Sequence, residues 1–311
     1  MRNGNGSTAG VLSTTTTARV SWRIWIEAAR LRTLAAAVIP VLVATALAAA
    51  YHQAIYSKAA ICLGFALLVQ IGTNFANDYF DFIKGADTAK RVGPRRAVAA
   101  GLIPPRRMLA ATWLVLGMAF ALGLLLVRES GWILLPIGIV SILCAIAYTG
   151  GPWPLGYNGL GDLFVFIFFG LVAVDTTFFV QAGFITADVT SCAAAVGLLA
   201  SNILVANNYR DAETDAVAGK KTLVVRFGRR LAVWQYALSA MIALLCPPAL
   251  LLYGYRWPVL LPLLLVPWAV SLTRRLASSR EPAGQIALLG ATARFLAAYG
   301  LLLSAGALQG R

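Results

Sequence analysis

The residues best suited to chemistry lie in two short polar stretches. In N-F-A-N-D-Y-F-D-F-I-K-G-A-D, residues 74–87, Asn74, Asn77, Asp78 and Asp81 recur at i, i+3, i+4 and i+7. That spacing sets two amides and two carboxylates on one helix face. Far downstream, N-N-Y-R-D-A-E-T-D sets Asn207, Asp211 and Asp215 at i, i+4 and i+8. Both stretches contain N-x-x-x-D. Mg²⁺ takes octahedral oxygen ligands and keeps several waters, so facing acidic helix ends suit a Mg²⁺–diphosphate pair. Asp78, Asp81, Asp211 and Asp215 offer ligands, while Asn74, Asn77 and Asn207 offer hydrogen bonds to metal waters or phosphate oxygens. The basic stretches beside these acids supply counter-charge, Lys84, Arg95 and Arg210 among them. Such a site stabilises the charge that develops on a leaving diphosphate. The competing reading is a set of structural salt bridges among the same residues. Two asparagine–aspartate faces on one side of a bundle favour the metal–diphosphate site.

The elements that carry these faces are apolar. Of 311 residues, 59% are hydrophobic and 12% charged, against about 25% charged in soluble domains, so the chain reads as an all-α polytopic membrane protein. Apolar runs at about 34–51, 57–81, 107–127, 131–149, 158–181, 186–207, 231–253, 256–273 and 286–307 predict nine spans for a hydrocarbon core of roughly 30 Å. The acidic stretches close the second and sixth of them, each followed by a long basic loop. Residues 1–20 are polar and lack the apolar core of a signal peptide, which predicts a disordered tail ahead of one transmembrane domain over 21–311. Trp22 to Arg32 reads as an interfacial amphipathic helix.

The formal net charge of +14 does not mark a nucleic-acid groove, because 21 of the 26 Lys and Arg residues fall ahead of the first apolar run or in every second connection between the runs. That asymmetry predicts a cytoplasmic N-terminus, with both acidic stretches on the cytoplasmic side of the plasma membrane. Cys62, Cys144, Cys192 and Cys246 are scattered singly through apolar runs and read as small buried residues. His52 is the sole histidine, so no histidine metal site or His-based triad is available.

N-D-Y-F-D-F-I-K-G-A-D, G-P-R-R-A-V-A-A-G-L-I-P-P (93–105) and N-N-Y-R-D-A-E-T-D-A-V-A-G-K-K-T-L (207–223) resemble the UbiA superfamily of intramembrane prenyltransferases. A-A-R-L-R-T-L (28–34) and Y-T-G-G-P-W-P-L-G-Y-N-G-L-G-D (148–162) are similar to its menaquinone-pathway branch, and the likeness runs from Ala28 to the last span. It implies nine helices ringed about a central cavity capped by the acidic stretches. The implied reaction joins a polyprenyl diphosphate to 1,4-dihydroxy-2-naphthoate, with loss of diphosphate and CO₂. By the same likeness Asp78, Asp81, Asp211 and Asp215 are the metal acids, Asp87 closes the first motif, and Arg95, Arg210 and Lys220 stand near diphosphate. Tyr148 would either face an allylic cation through its ring or serve as an interfacial anchor. Arg30 and Arg32 belong to the branch signature and would either orient the naphthoate or anchor the helix to headgroups.

Other aromatic acceptors, such as 4-hydroxybenzoate, homogentisate or a tetrapyrrole, would use the same metal site. A cation transporter is the reading from another class, disfavoured by acids at span ends beside cationic loops. Asp175 departs from the family pattern; it would be protonated, bonded to Thr176 or Thr177, or placed at a lipid-tail exit. A depth difference of about 13 Å argues against a direct pair with Arg294.

Overall fold

A computed structural model describes residues 21–87 and 95–311, and among these the regular structure is helical throughout. The predicted N-terminal tail and the basic residues Lys90 and Arg91 lie outside the described residues, as does the side chain of Arg32. After a short helix α1 (Trp22–Ala29) come α2 (Ala35–Ala50), α3 (Tyr56–Ile83), α4 (Pro105–Ser130), α5 (Leu134–Ala147), α6 (Gly161–Ala182), α7 (Ala187–Val217), α8 (Leu223–Tyr253), α9 (Trp257–Ser278) and α10 (Pro282–Ala307). Seven of these, α3, α4 and α6 to α10, are long and apolar enough to cross a membrane. The apolar helices α2 and α5, with 16 and 14 residues, are shorter than the predicted spans.

The last helix closes the architecture: α10 packs on α2, and also on α7 and α9, while α3 packs on α4 and α7 on α8. Small residues set the closest approach. Over Phe166–Asp175 the helix α6 winds as a π-helix, and its Gly170 meets Gly197 of α7 backbone to backbone. A Cβ on Gly170 would stand 2.6 Å from the carbonyl oxygen of Ala193, so any larger residue would force the two helices apart.

Helix α1 has one exposed and one buried side, and it ends at Ala29 rather than running on to Arg32. Trp22 and Ile26 are exposed, Ala28 and Ala29 are buried, and Trp25 sets its ring edge-on to Phe75 at 5.5 Å. Arg30 then turns the chain with a left-handed φ of 54°, an uncommon conformation for a side-chain-bearing residue.

Two boundaries differ from the sequence expectation. The second acidic stretch does not end a span at residue 207, because α7 continues to Val217. The turns that follow are charged yet helical, since Asn207, Asp211 and Asp215 keep one polar face and nothing in 207–217 breaks a helix. Likewise α8 starts at Leu223, with a kink at Gly228, so the second basic loop shrinks to 218–222. Asp175, on the π-helical turn, accepts from the Thr190 hydroxyl at 3.3 Å rather than from Thr176 or Thr177. Arg294 is exposed. The four cysteines are free thiols; Cys144 is half-buried and the others are buried.

Candidate active site

The helices enclose a cavity of about 360 Å³ with two chemically distinct ends. Its polar end is lined by Asn74, Asn77 and Asp81 of α3, by Asp87 and Arg96, by Tyr148, Thr149 and Tyr157, by Asn207, Asn208, Asp211, Thr214 and Asp215 of α7, and by Lys220. Its apolar end descends past Val69, Ala66 and Phe65 to Cys62, with Leu126, Leu134 and Phe168 opposite. The lining from Asp81 to Cys62 spans 19 residues of one helix, about 28 Å.

The helical wheel explains which acids reach the cavity. Relative to Asn74, Asp81 lies about 20° to one side and Asp78 about 40° to the other, so Asp78 sits at the edge of the stripe. Its carboxylate turns to the chain that enters α4, accepting the backbone N–H of Ala97 at 3.0 Å and of Val98 at 3.2 Å. Asp78 is buried but does not line the cavity. Asp81 does, and three groups converge on it. The Tyr157 hydroxyl donates to Oδ1 at 2.7 Å, the Arg96 guanidinium donates to Oδ2 at 2.8 Å, and the Lys220 ammonium stands 3.4 Å away. Arg96 also pairs with Asp87 at 3.4 Å.

On α7, Arg210 forks onto Asp211 at 2.7 and 2.6 Å and reaches Asn207 at 2.9 Å. The same wheel puts Arg210 off the cavity face, so it orients cavity-lining groups without lining the cavity itself. Lys220 stands 3.6 Å from Asp215. Lys220 therefore bridges the two acidic stretches.

The remaining predicted residues fall on both sides of the boundary. Asn74 donates to the Ala29 carbonyl at 2.9 Å and the Thr33 hydroxyl at 3.1 Å, tying α3 to the turn at Arg30. Asn77 accepts from the Thr149 hydroxyl at 2.8 Å. Arg30 lines the cavity. Arg95 is exposed and does not line it; the neighbouring Arg96 is buried and does. Lys84 is exposed, with its ammonium 5.1 Å from the Tyr157 ring and 3.1 Å from the Gly151 carbonyl. Tyr148 lines the cavity from the end of α5. Burial and then the Asp81 carboxylate push the Tyr157 hydroxyl above the usual tyrosine range.

Sequence reasoning missed Arg96 and Tyr157. Arg96 sat in view as half of an Arg-Arg pair, whereas Tyr157 lies in a Gly- and Pro-rich connection without periodicity. Among the described residues no group of three or more His, Cys, Asp or Glu forms a compact metal cluster. Mg²⁺ in phosphate sites needs only one or two carboxylates, the phosphates and waters completing its shell. Asp81 and Asp215, held toward one cation, fit that donor set. Arg96 Nη1, buried with no hydrogen-bond partner among the described residues, fits an anion beside them.

A family model described as the UbiA prenyltransferase family matches residues 37–305. The chain is similar to a 1,4-dihydroxy-2-naphthoate octaprenyltransferase of Mycobacterium tuberculosis, 44% identical over 208 residues that cover 67% of this chain and 71% of that protein. A Bacillus subtilis protein of the same name is 33% identical over 286 residues, covering 92% of each. In fold the chain is similar to a solved UbiA homolog from Archaeoglobus fulgidus bound to GPP and Mg²⁺. The TM-score is 0.67 at 14% identity, covering 90% of this chain and 99% of that one.

Proposed function

The chain belongs to the UbiA prenyltransferase family, and from that premise we propose that it transfers a polyprenyl group from polyprenyl diphosphate to 1,4-dihydroxy-2-naphthoate. Diphosphate and CO₂ leave, and the quinol form of demethylmenaquinone results, with no change in oxidation state. The observation that carries the reading is the two-ended cavity, about 28 Å along α3, with acids, amides and cations at one end and an apolar arm from Val69 to Cys62, about 10 Å, at the other. A diphosphate with a long hydrocarbon tail has the same two-ended polarity. The relatives' names supply the acceptor.

Asp81, Asp211 and Asp215 are the acids that would hold Mg²⁺, and the UbiA homologs solved with Mg²⁺ or Cd²⁺ support a divalent ion. Bound there, the metal would neutralise the diphosphate as its bond to the prenyl carbon lengthens. Arg96 and Lys220 face the same developing charge, while Asn77 and Asn207 offer hydrogen bonds to phosphate oxygens or metal waters. Arg210 holds Asp211 and Asn207 in place. Asp78 holds the segment that carries Arg96. The apolar arm would keep water from the allylic cation, and Tyr148, a residue of the cavity lining, is the aromatic we assign to that charge. The electron-rich ring carbon of the naphthoate attacks the prenyl carbon, and loss of CO₂ restores aromaticity. Arg30, at the cavity wall beside Asn74, is the cation we assign to the acceptor carboxylate.

The basic loops favour a plasma-membrane protein with its acidic end in the cytoplasm. Assay of the detergent-purified protein with dihydroxynaphthoate, prenyl diphosphate and Mg²⁺ tests the reading. Prenylated naphthoquinol and equimolar diphosphate are expected. Turnover of 4-hydroxybenzoate but not dihydroxynaphthoate would refute the acceptor. An Arg30→Gln variant should raise KM for dihydroxynaphthoate well above its effect on the prenyl diphosphate.

A further inference from the structure

Lys220 occupies an unusual position for a permanent salt-bridge partner. Its ammonium lies 3.4 Å from Asp81 of the first motif and 3.6 Å from Asp215 of the second, nearly midway between them. Charge-assisted hydrogen bonds run about 2.7–2.9 Å. The site's guanidiniums meet that standard, Arg96 at 2.8 Å from Asp81 and Arg210 at 2.6 Å from Asp211. Lys220 is therefore shared between two carboxylates and docked tightly on neither. Its head also rests 4.7 Å from the Tyr157 ring, whose hydroxyl holds the same Asp81 oxygen.

The backbone beneath it is fixed. Gly219 turns the chain with φ of 74°, which lets the Lys220 N–H return to the Asp215 carbonyl at 2.9 Å, and the Lys221 N–H bonds the Tyr157 carbonyl at 2.7 Å. A fixed root, a four-carbon stem and a head with 18% side-chain exposure let the ammonium swing while the loop stays in place.

We propose that Lys220 is a positioning residue that acts as the resident counter-ion of the metal site. Its ammonium bridges Asp81 and Asp215 when no metal is there, and it moves onto the diphosphate when metal and diphosphate enter together. The inference rests on the metal–diphosphate reading above. Arg96 stays on Asp81 at 2.8 Å, but without the ammonium between them the two carboxylates would repel one another more and draw in a divalent ion more readily. A resident +1 charge holds them together and opposes entry of a bare metal ion. A diphosphate relieves that opposition, because it gives the displaced ammonium a new anion. Metal and diphosphate thereby favour one another's binding through one side chain.

Binding of Mn²⁺ alone to the detergent-purified protein, followed by its paramagnetic resonance, separates this role from simple phosphate binding. Lys220→Gln should bind Mn²⁺ about tenfold or more tightly than the unchanged protein, because a repelling charge has left the site. Lys220→Arg should keep the weaker affinity of the unchanged protein. Should Lys220→Gln not fold, Lys220→Met, which keeps the apolar stem against Tyr157, serves in its place. Equal or weaker Mn²⁺ affinity in the neutral variant would overturn the counter-ion role while leaving the metal reading standing. Absence of Mn²⁺ binding from both proteins, even with inorganic diphosphate added, would overturn the metal reading and this inference with it.

Discussion

Two adjacent arginines offer a sharp test of the site, because the structure gives them opposite roles. Arg96 is 8% exposed, pairs with Asp81 at 2.8 Å and Asp87 at 3.4 Å, and keeps Nη1 without a hydrogen-bond partner among the described residues. Arg95 is exposed and off the cavity. In Arg96→Gln, Asp81 retains the Tyr157 hydroxyl at 2.7 Å and Lys220 at 3.4 Å, so the buried carboxylate is not stranded. The cost to stability should stay near 1–3 kcal/mol, short of the ~3–5 kcal/mol for an uncompensated buried charge. Activity should fall further. A donor aimed at developing negative charge is worth roughly 10²–10³-fold, about 2.7–4 kcal/mol. Arg95→Gln should change stability by no more than about 0.5 kcal/mol and activity by little. Steady-state kinetics with each substrate varied in turn, beside a thermal melt, reads all of these quantities. The loss in Arg96→Gln should appear in kcat/KM for the prenyl diphosphate. Equal losses in the two variants, or an effect of Arg96→Gln confined to the naphthoate KM, would refute the assignment.

Asp78→Asn removes one of two acceptors from the Ala97 and Val98 amides, so a melting loss equivalent to about 1–3 kcal/mol is expected. Its Mn²⁺ affinity should fall less than that of Asp81→Asn; the reverse order would make Asp78 a direct ligand. Tyr157→Phe loses the 2.7 Å bond to Asp81 and should slow turnover by about tenfold or more. Because burial and Asp81 raise the Tyr157 pKa above its ordinary value, the hydroxyl remains a donor up to at least its usual titration range. The alkaline limb of the pH profile should therefore be the same in Tyr157→Phe, and its disappearance would show that Tyr157 titrates in turnover. Gly197→Ala would put a Cβ 2.5 Å from the Phe166 carbonyl oxygen and should cost about 1–3 kcal/mol in a detergent melt. Gly117→Ala, which meets nothing within 4 Å, serves as its control, and equal melts would deny the close contact.

Most of the architecture was readable because hydropathy and helical period are local signals. Apolar runs located every long helix, and the i, i+3, i+4, i+7 spacing located the polar face of α3. The family match then removed the transporter reading. What escaped depends on contacts between segments. Periodicity groups Asp78 with Asp81, but only the packing of residues 97 and 98 against α3 turns Asp78 away from the cavity. Nothing in the Arg95–Arg96 pair says which guanidinium points inward. Tyr157 is brought to Asp81 by a connection 76 residues away in sequence, beyond any local pattern. Charge density after residue 207 suggested a loop, although a helix tolerates charge wherever one face is kept.

The length of α7 has a consequence for how the products part. Its 31 residues rise about 46 Å, roughly 16 Å more than a hydrocarbon core, and Asp211 and Asp215 stand in its last two turns. On the proposed chemistry, bond breaking would be stationed at an oil–water boundary, with the polar fragment on the wet side and the greasy fragment already among apolar walls. Each product would then leave into the phase that dissolves it, and neither would have to cross the other's path. Partitioning then works against the reverse reaction, since re-forming the starting diphosphate would require two molecules that have drifted into different solvents to meet again in one cavity.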